Sequence, residues 1–241
     1  MFTVLSSKKR KWFHNNIDLV AGPSFYEVTA PLPLRKKETA QLQQLLGLSG
    51  NAVVNGYGDL SRLPFQELND FAFRKDAAVA LCEQLRKRAG IKRGQFSVGV
   101  LDPLAMSIPL VIQLMEQTGK LYLVTDRPSA LYTFSDEMLA EVGAAPILCG
   151  EEAATQRCHV ILSLKKEEIL RQSRCLILPL HDTTFEARLP EEGEQLLQKT
   201  QLHRHQLAAA YYMINHQEDV LSHLTGIRQR GQFYPIDALV S

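Results

Sequence analysis

The pattern of hydrophobic positions changes character near residue 95. Beyond that point, five apolar runs of strand length alternate with segments of helical spacing. The runs cover residues 96–101, 121–125, 147–149, 159–164 and 175–178. Strands that are apolar on both faces belong to a sheet covered by helices on both sides, and this spacing implies parallel pairing with right-handed crossovers. The pattern therefore predicts an α/β fold with a doubly wound, mostly parallel sheet.

The helices between these strands have recognisable ends. A helix over 106–118 is expected to end at Gly119, and one over 136–142 at Gly143. Ser135 is a predicted N-cap of the second helix, and a short charged helix is predicted over 165–172. Because Pro109 is tolerated only in the first turn, the first helix should begin near Met106 or Ser107, with Ser107 as its N-cap.

The first 94 residues follow a less regular pattern. They predict short strands at 2–5, 25–29 and 52–54 and helices at 35–46 and 75–89, while residues 190–226 are mostly of helical spacing. We expect three parts: a smaller mixed α+β region over 1–94, the α/β domain over 95–189, and C-terminal helices over 190–241 that pack on the rest. Whether the first region is a separate domain is left open.

The charge of the chain divides at about the same place. Residues 1–100 contain 15 Lys and Arg against 8 Asp and Glu, whereas residues 101–241 contain 12 against 18, which together give the net charge of +1. Three basic clusters, at residues 8–11, 35–37 and 86–93, favour contact with the acidic second half, within the chain or across an oligomer, and scattered solvated charge is the alternative. Nucleic acid is not the favoured partner, because only Trp12 and Phe13 accompany these clusters as base-stacking residues.

Cysteine and hydropathy patterns indicate a cytoplasmic protein with no membrane segment. No apolar stretch follows the basic N-terminal cluster as in a signal peptide, and the apolar stretch 104–115 is too short to span a bilayer. The four cysteines stand far apart without a CxxC pair, which favours reduced thiols. His203 and His205 are two positions apart on a predicted helix and cannot share a metal, so no metal site is expected.

The first strand and the loop after it carry a family resemblance. The loop has the sequence Asp102-Pro103-Leu104-Ala105-Met106-Ser107, and Asp126 ends the second strand 24 positions after Asp102. In element order and spacing, residues 95–180 resemble the Rossmann-type NAD(P)-binding superfamily. The resemblance implies a dinucleotide at the sheet edge, with Asp126 near a ribose diol and the adjacent Arg127 near a 2′-phosphate.

The glycines of the family's phosphate loop are replaced in this chain. Asp102, Leu104 and Ser107 occupy the three glycine positions. A carboxylate at about 4 Å from a phosphate repels it by about 1 kcal/mol in water and about 4 kcal/mol at an effective dielectric of 20. Leu104 adds a side chain where the backbone must be bare, and Pro103 removes an N–H donor. We expect no cofactor in the usual dinucleotide pose, with Leu104 or Met106 filling the loop.

Ligands of open α/β sheets bind beyond the carboxyl ends of the strands. If the strand order is 3-2-1-4-5, several polar side chains meet at that edge. The ligand-binding candidates are Asp102, Ser107, Asp126, Arg127, Ser163, Lys165, His181 and Asp182. They offer acid, base, hydroxyl and cation groups, and ordinary solvated loop ends are the alternative interpretation.

Three functional hypotheses follow. The favoured one is a degenerate Rossmann-like domain that binds a small polar ligand or a protein partner without hydride-transfer chemistry. The alternative is an NAD(P)-dependent oxidoreductase with an altered phosphate loop, and the third is a module that binds nucleic acid or an acidic partner. The sequence assigns no catalytic residue, and it leaves the ligand and formation of a homo-oligomer open.

Overall fold

The computed structural model describes residues 1–9, 16–47, 53–55, 68–165, 175–180, 185–200, 202–215, 219–229 and 232–240. The strands are β1 Phe2–Lys9, β2 Asp18–Ala21, β3 Phe25–Leu32, β4 Val53–Asn55, β5 Ser97–Leu101, β6 Lys120–Val124, β7 Ile147–Leu148, β8 Val160–Ser163, β9 Leu176–Pro179, β10 Phe185–Ala187, β11 Leu224–Gln229 and β12 Gln232–Pro235. The α-helices are α1 Lys36–Gly47, α2 Phe71–Arg88, α3 Ile108–Met115, α4 Ser129–Val142, α5 Glu151–Arg157, α6 Glu191–Lys199, α7 Arg204–Ile214 and α8 Ile236–Val240. Short 3-10 helices cover Arg93–Gln95 and Val220–His223.

The chain forms two compact units, each assembled from two segments. The first unit contains Met1–Phe73 and Ala187–His223, and the second contains Arg74–Glu186 and Leu224–Ser241. The domain boundaries predicted from the sequence, after residues 94 and 189, stay a prediction. In the described part of the chain, no helix has both the length and the apolar character needed to cross a membrane.

The first unit contains a four-stranded mixed sheet in the order β2-β3-β1-β4. Strand β1 pairs in parallel with both β3 and β4, and β2 is antiparallel to β3. Helix α1 covers this sheet, because Leu42 and Leu46, one turn apart, pack in one cluster with Leu5, Val28 and Ala30. The sequence analysis misses β2, whose four residues are all exposed and so lack the pattern of a buried strand.

The second unit contains the predicted parallel sheet. Its five strands run in the order β7-β6-β5-β8-β9, which is the order 3-2-1-4-5 considered in the sequence analysis. All four pairings are parallel, and the central strand β5 is buried at every residue. The prediction of an α/β fold with a doubly wound, Rossmann-like sheet is confirmed by this topology.

The sequence predicts the start of one helix of the second unit correctly and that of another too late. Helix α3 begins at Ile108 with Ser107 at the N-cap and Pro109 in its first turn, as predicted. Helix α4 begins at Ser129, about two turns before the predicted start, and ends at Gly143 with φ 73°. Only glycine adopts this left-handed conformation at little cost, which explains the helix end there.

The part of the chain beyond β9 contains strands as well as helices. A small sheet has the order β10-β11-β12, and β11 pairs antiparallel with β12. Gly226, the last residue of the stretch predicted to be mostly helical, lies inside β11, where a Cβ would stand 2.4 Å from the Tyr234 carbonyl oxygen. The glycine is therefore required by close backbone approach in a strand rather than by a helix end.

Candidate functional site

The loop 102–107, between β5 and α3, is closed by its own carboxylate. Asp102 is 3% exposed, and its Oδ2 accepts hydrogen bonds from the Ser107 N–H at 2.6 Å and the Ser107 hydroxyl at 2.5 Å. Ser107 makes no side-chain capping bond to α3, since its hydroxyl is turned to Asp102. The Ser107 N–H lies at the start of the helix, where backbone donors ordinarily bind an anion. In this protein the anion is the carboxylate of Asp102.

The apolar side chains of the loop do not fill it. Leu104 is 53% exposed and Met106 is 73% exposed, so neither side chain is packed inside the loop, and the occupation of the phosphate position by one of them stays a prediction. Ala105, between them, has φ 56°, a left-handed conformation that costs a residue with a Cβ roughly 1–2 kcal/mol. The loop turns its apolar residues outward and its carboxylate inward.

The loop after β6 is tied to the loop 102–107. The Pro103 carbonyl oxygen accepts hydrogen bonds from the Asp126 N–H and from the Thr125 hydroxyl, both at 3.3 Å. Thr125 in turn accepts the Arg127 N–H at 3.1 Å. The side chains of Asp126 and Arg127 are exposed, and neither forms a hydrogen bond or an ion pair with a described residue. An acid and a cation therefore stand side by side with their binding groups available.

The groups that follow β8 have structural partners. Ser163 is buried, and its hydroxyl accepts the Lys165 N–H at 3.2 Å, while its carbonyl oxygen accepts the Leu180 N–H at 2.7 Å. The Lys165 Nζ forms an ion pair with Glu151 Oε2 at 2.9 Å. Ser163 thus shapes the turn after β8, and Lys165 is partly neutralised by α5.

Two candidates remain without a structural description. His181 and Asp182 lie outside the described residues, as does most of the helix predicted over 165–172. The structure brings Asp102 and Ser107 into contact and joins their loop to Asp126 through Pro103. Ser163 and Lys165 form a separate group at the same carboxyl edge of the sheet.

Three contributors were missed by the sequence analysis. Thr125 and Glu151 bind the candidate residues, and Ala105 provides the positive φ of the loop. Glu151 could have been recognised from the sequence, because it follows Gly150 after a strand and lies in the first turn of α5. A negative charge at this end of a helix is stabilised by the helix dipole. A positive φ at alanine has no such signal, since this residue type rarely adopts it.

The region of the parallel sheet that contains Cys158 is apolar and unsuited to thiol chemistry. Cys158 and Cys175 are buried in one cluster with Leu101, Tyr122 and Ile161. Burial, followed by the neighbouring Cys149 and Cys175, raises the pKa of Cys158 to about 12. A thiol with such a pKa is almost entirely protonated at neutral pH and therefore a poor nucleophile. Within the described residues, no group of three or more acid, histidine or cysteine side chains is placed to hold a metal ion.

These contacts do not fit a dinucleotide in the usual pose. The Ser107 N–H that would meet a phosphate already binds Asp102, and that carboxylate would face the phosphate charge. The second part of the family pattern is present, because Asp126 is exposed at the end of β6. The phosphate half of the site is closed, and the half expected near ribose is open.

Comparisons with known proteins give a limited result. No family model matches the chain, and no curated protein matches it. One similar solved structure is Thermococcus litoralis Δ(1)-pyrroline-2-carboxylate reductase in complex with NADH and L-proline, at 13% identity and TM-score 0.29 over 44% of this chain and 34% of that chain. The match thus spans about a third of the reductase. Another is a chorismate mutase/shikimate 5-dehydrogenase fusion protein from Clostridium acetobutylicum, at 10% identity and TM-score 0.34 over 90% of this chain and 92% of that chain. Both likenesses are too distant to indicate a function, and the Rossmann-like assignment rests on the strand order of the sheet itself.

Proposed function

We propose that the carboxyl edge of the parallel sheet binds a small hydroxylated ligand with one anionic group, such as a sugar phosphate or a nucleoside monophosphate, without hydride-transfer chemistry. The observation that carries this proposal is the bond between the Ser107 N–H and Asp102. It occupies the donor that a pyrophosphate would use, while Asp126 and Arg127 stay available.

The chemistry of the two free groups selects the ligand class. A carboxylate such as Asp126 accepts two hydroxyl protons and so suits a vicinal diol. A guanidinium such as Arg127 binds a phosphate or carboxylate through paired, charge-assisted hydrogen bonds. A ligand with both features gains from both residues, whereas a second phosphate directed into loop 102–107 meets Asp102.

The cytoplasm is the proposed location. All four cysteines are free, which is typical of a reducing compartment. A role as an NAD(P)-dependent oxidoreductase is the competing function, and the exposed Asp126 at the end of β6 is the observation that favours it.

Calorimetric titration of the full chain with AMP, ribose 5-phosphate and NAD+ tests the proposal. We expect saturable binding of at least one monophosphate, weakened about tenfold in Arg127→Gln and several-fold in Asp126→Asn. Asp136→Asn, an exposed acid on α4, is the matched control and should bind like the wild type. Failure of both monophosphates to saturate in the millimolar range, or equal affinity in all variants, would overturn the proposal.

A further inference from the structure

The first unit contains a cavity that is separate from the carboxyl edge of the parallel sheet. Its volume is about 230 Å³, and it is lined by Arg188, Leu189, Pro190, Tyr211, Asn215, Ser222 and His223. The backbone N–H of Arg188 donates to the His223 carbonyl oxygen at 2.7 Å, which joins two of the three lining segments. The volume corresponds to roughly seven water molecules and suits a small metabolite rather than a drug-sized molecule.

The buried part of the lining includes a tightly packed tyrosine. Tyr211 is 2% exposed, and its ring packs edge-on against Phe2, with centroids 5.1 Å apart and an interplanar angle of 79°. On another side it approaches α6 so closely that a Cβ on Gly193 would stand 2.9 Å from the Tyr211 Cε2. These contacts hold the ring in one position.

The hydroxyl of Tyr211 is the feature that points to a ligand. It is buried and makes no hydrogen bond of standard geometry with a described residue, although the Glu192 carboxylate lies close enough to interact with it as a hydrogen-bond acceptor. Burial, followed by the nearby carboxylate of Glu192, raises the pKa of Tyr211, so the hydroxyl stays protonated at physiological pH and can donate. Buried hydroxyl groups in native proteins nearly always have a well-aligned partner, and a ligand atom in the cavity would provide one that Glu192 does not.

The exposed part of the lining adds a cation. Arg188, Asn215 and Ser222 are exposed, whereas Leu189 and His223 are buried like Tyr211. The Arg188 side chain forms no hydrogen bond or ion pair with a described residue. Guanidinium groups pair with carboxylates in a planar, two-bonded geometry, so the exposed side of the cavity favours an acid.

His223 completes the buried side without changing this preference. Its ring lies edge-on to Tyr212, with centroids 5.8 Å apart, and edge-on to Phe73 at 6.5 Å. Leu189 and Pro190 supply apolar surface beside it. The lining therefore combines a cation at the exposed side, an apolar wall and a buried hydroxyl donor.

We propose that this cavity is a second ligand site, which takes a small organic acid with a further hydrogen-bond acceptor. The carboxylate pairs with Arg188, and a hydroxyl or carbonyl oxygen at the other end accepts a hydrogen bond from Tyr211. This site is independent of the function proposed for Asp126 and Arg127, because none of the cavity residues belongs to the parallel sheet or its loops.

Ligand-observed NMR and calorimetry on the full chain test the site. The probes are malate, 2-oxoglutarate, benzoate and 4-hydroxybenzoate, with benzamide as the uncharged analogue of benzoate. We expect at least one acid to bind saturably, Arg188→Gln to weaken it about tenfold, and Tyr211→Phe to weaken acids with a second acceptor but not benzoate. Lys199→Gln, an exposed cation on α6 outside the cavity, is the control and should leave the affinity unchanged.

The outcomes separate the two proposals. Asp126→Asn should not alter acid binding, and Arg188→Gln should not alter monophosphate binding. Thermal unfolding of Tyr211→Phe checks that the variant is folded, and its melting temperature should change little, because the hydroxyl that is removed makes no hydrogen bond of standard geometry. Absence of saturation by every acid, binding of benzamide as strong as that of benzoate, or an unchanged affinity in Arg188→Gln would overturn the cavity proposal.

Discussion

Ser107 donates two hydrogen bonds to one oxygen of Asp102, from its backbone N–H at 2.6 Å and from its hydroxyl at 2.5 Å. The carboxylate that supplies this oxygen comes from the end of β5, and the N–H stands at the start of α3. The start of a helix, where backbone donors ordinarily bind an anion, is thus occupied by a group of the chain itself. This relationship explains both the closed loop and the outward position of Leu104 and Met106.

Removal of the Asp102 carboxylate should destabilise the second unit. Asp102→Ala leaves the buried N–H and hydroxyl of Ser107 without their acceptor, which costs about 1–3 kcal/mol of unfolding free energy. Urea denaturation followed by circular dichroism measures the loss. Asp136→Ala, at an exposed site on α4, should change the free energy by less than about 0.5 kcal/mol. Equal stability of the two variants would show that the Asp102–Ser107 contact contributes nothing.

The sequence predicts the sheet far better than it predicts this loop. Strands β5 and β8 are apolar at consecutive positions because both of their faces are buried, and that pattern is visible in one dimension. The inward position of Asp102 depends on a rotamer, and the φ of Ala105 on backbone geometry, and neither leaves a trace in the sequence pattern. Residue types alone identify Asp102 and Ser107 as candidates but not as partners of each other.

The sequence analysis missed strand β11 for a different reason. Strand β11 forms because it pairs with β12, and its own hydrophobic pattern does not predict a strand. A glycine such as Gly226 can end a helix or allow a close backbone approach in a strand, and the sequence does not distinguish the two roles. Helix α4 starts earlier than predicted because the turn after β6 is shorter than the sequence suggests. Such contacts between segments are beyond what local propensity reports.

The left-handed residue in the loop gives a second prediction. Ala105→Gly should raise the unfolding free energy by roughly 0.5 kcal/mol, because relief of about 1–2 kcal/mol of strain exceeds the extra entropy of glycine in the unfolded chain. Gly143→Ala, which places a Cβ at φ 73°, should lower it by roughly 1 kcal/mol. Chemical denaturation of both variants measures the two shifts. If both moved in the same direction, the assigned backbone geometry would be wrong at one of the two sites.

Gly193 should be intolerant of a side chain although it lies in a helix. Alanine is intrinsically the better helix former by about 1 kcal/mol, but a Cβ there would meet the fixed Tyr211 ring at 2.9 Å. We expect Gly193→Ala to lower the unfolding free energy by about 1–3 kcal/mol. Gly150→Ala is the control, since no atom lies within 4 Å of a Cβ at that position.

A double-mutant cycle identifies the cause of the Gly193 effect. In a Tyr211→Leu background the same Gly193→Ala change should cost less, because the ring that it meets is absent. Additive effects of the two substitutions would contradict the close approach and would weaken the description of the cavity that Tyr211 lines.

The acid stability of the first unit should depend on Glu194. The Arg204 guanidinium donates two hydrogen bonds to this carboxylate and lowers its pKa below the ordinary glutamate value. A carboxyl group whose pKa is lower in the folded state stabilises the fold above its unfolded pKa of about 4.3, and this contribution is lost as the pH falls through the folded value. The pair is partly exposed, so the effect should be small.

Melting temperatures measured between pH 3 and 7 provide the check. Glu194→Gln should lower the melting temperature slightly at neutral pH and flatten its decline at acidic pH, because glutamine does not titrate. Glu191→Gln, on the same helix, should preserve the wild-type profile. A Glu194→Gln profile parallel to that of the wild type would show that the Arg204 pair is not linked to folding.

The central claim is that the Asp102 carboxylate closes the phosphate half of the sheet edge. Fluorescence titration of the full wild-type chain with NADH tests it most directly, with NADPH in parallel because of Arg127. We predict no saturation below the millimolar range for either cofactor, since a pyrophosphate at loop 102–107 would face the Asp102 carboxylate and would find the Ser107 N–H already bonded. Saturable binding at micromolar concentration that is lost in Asp126→Ala would contradict the account.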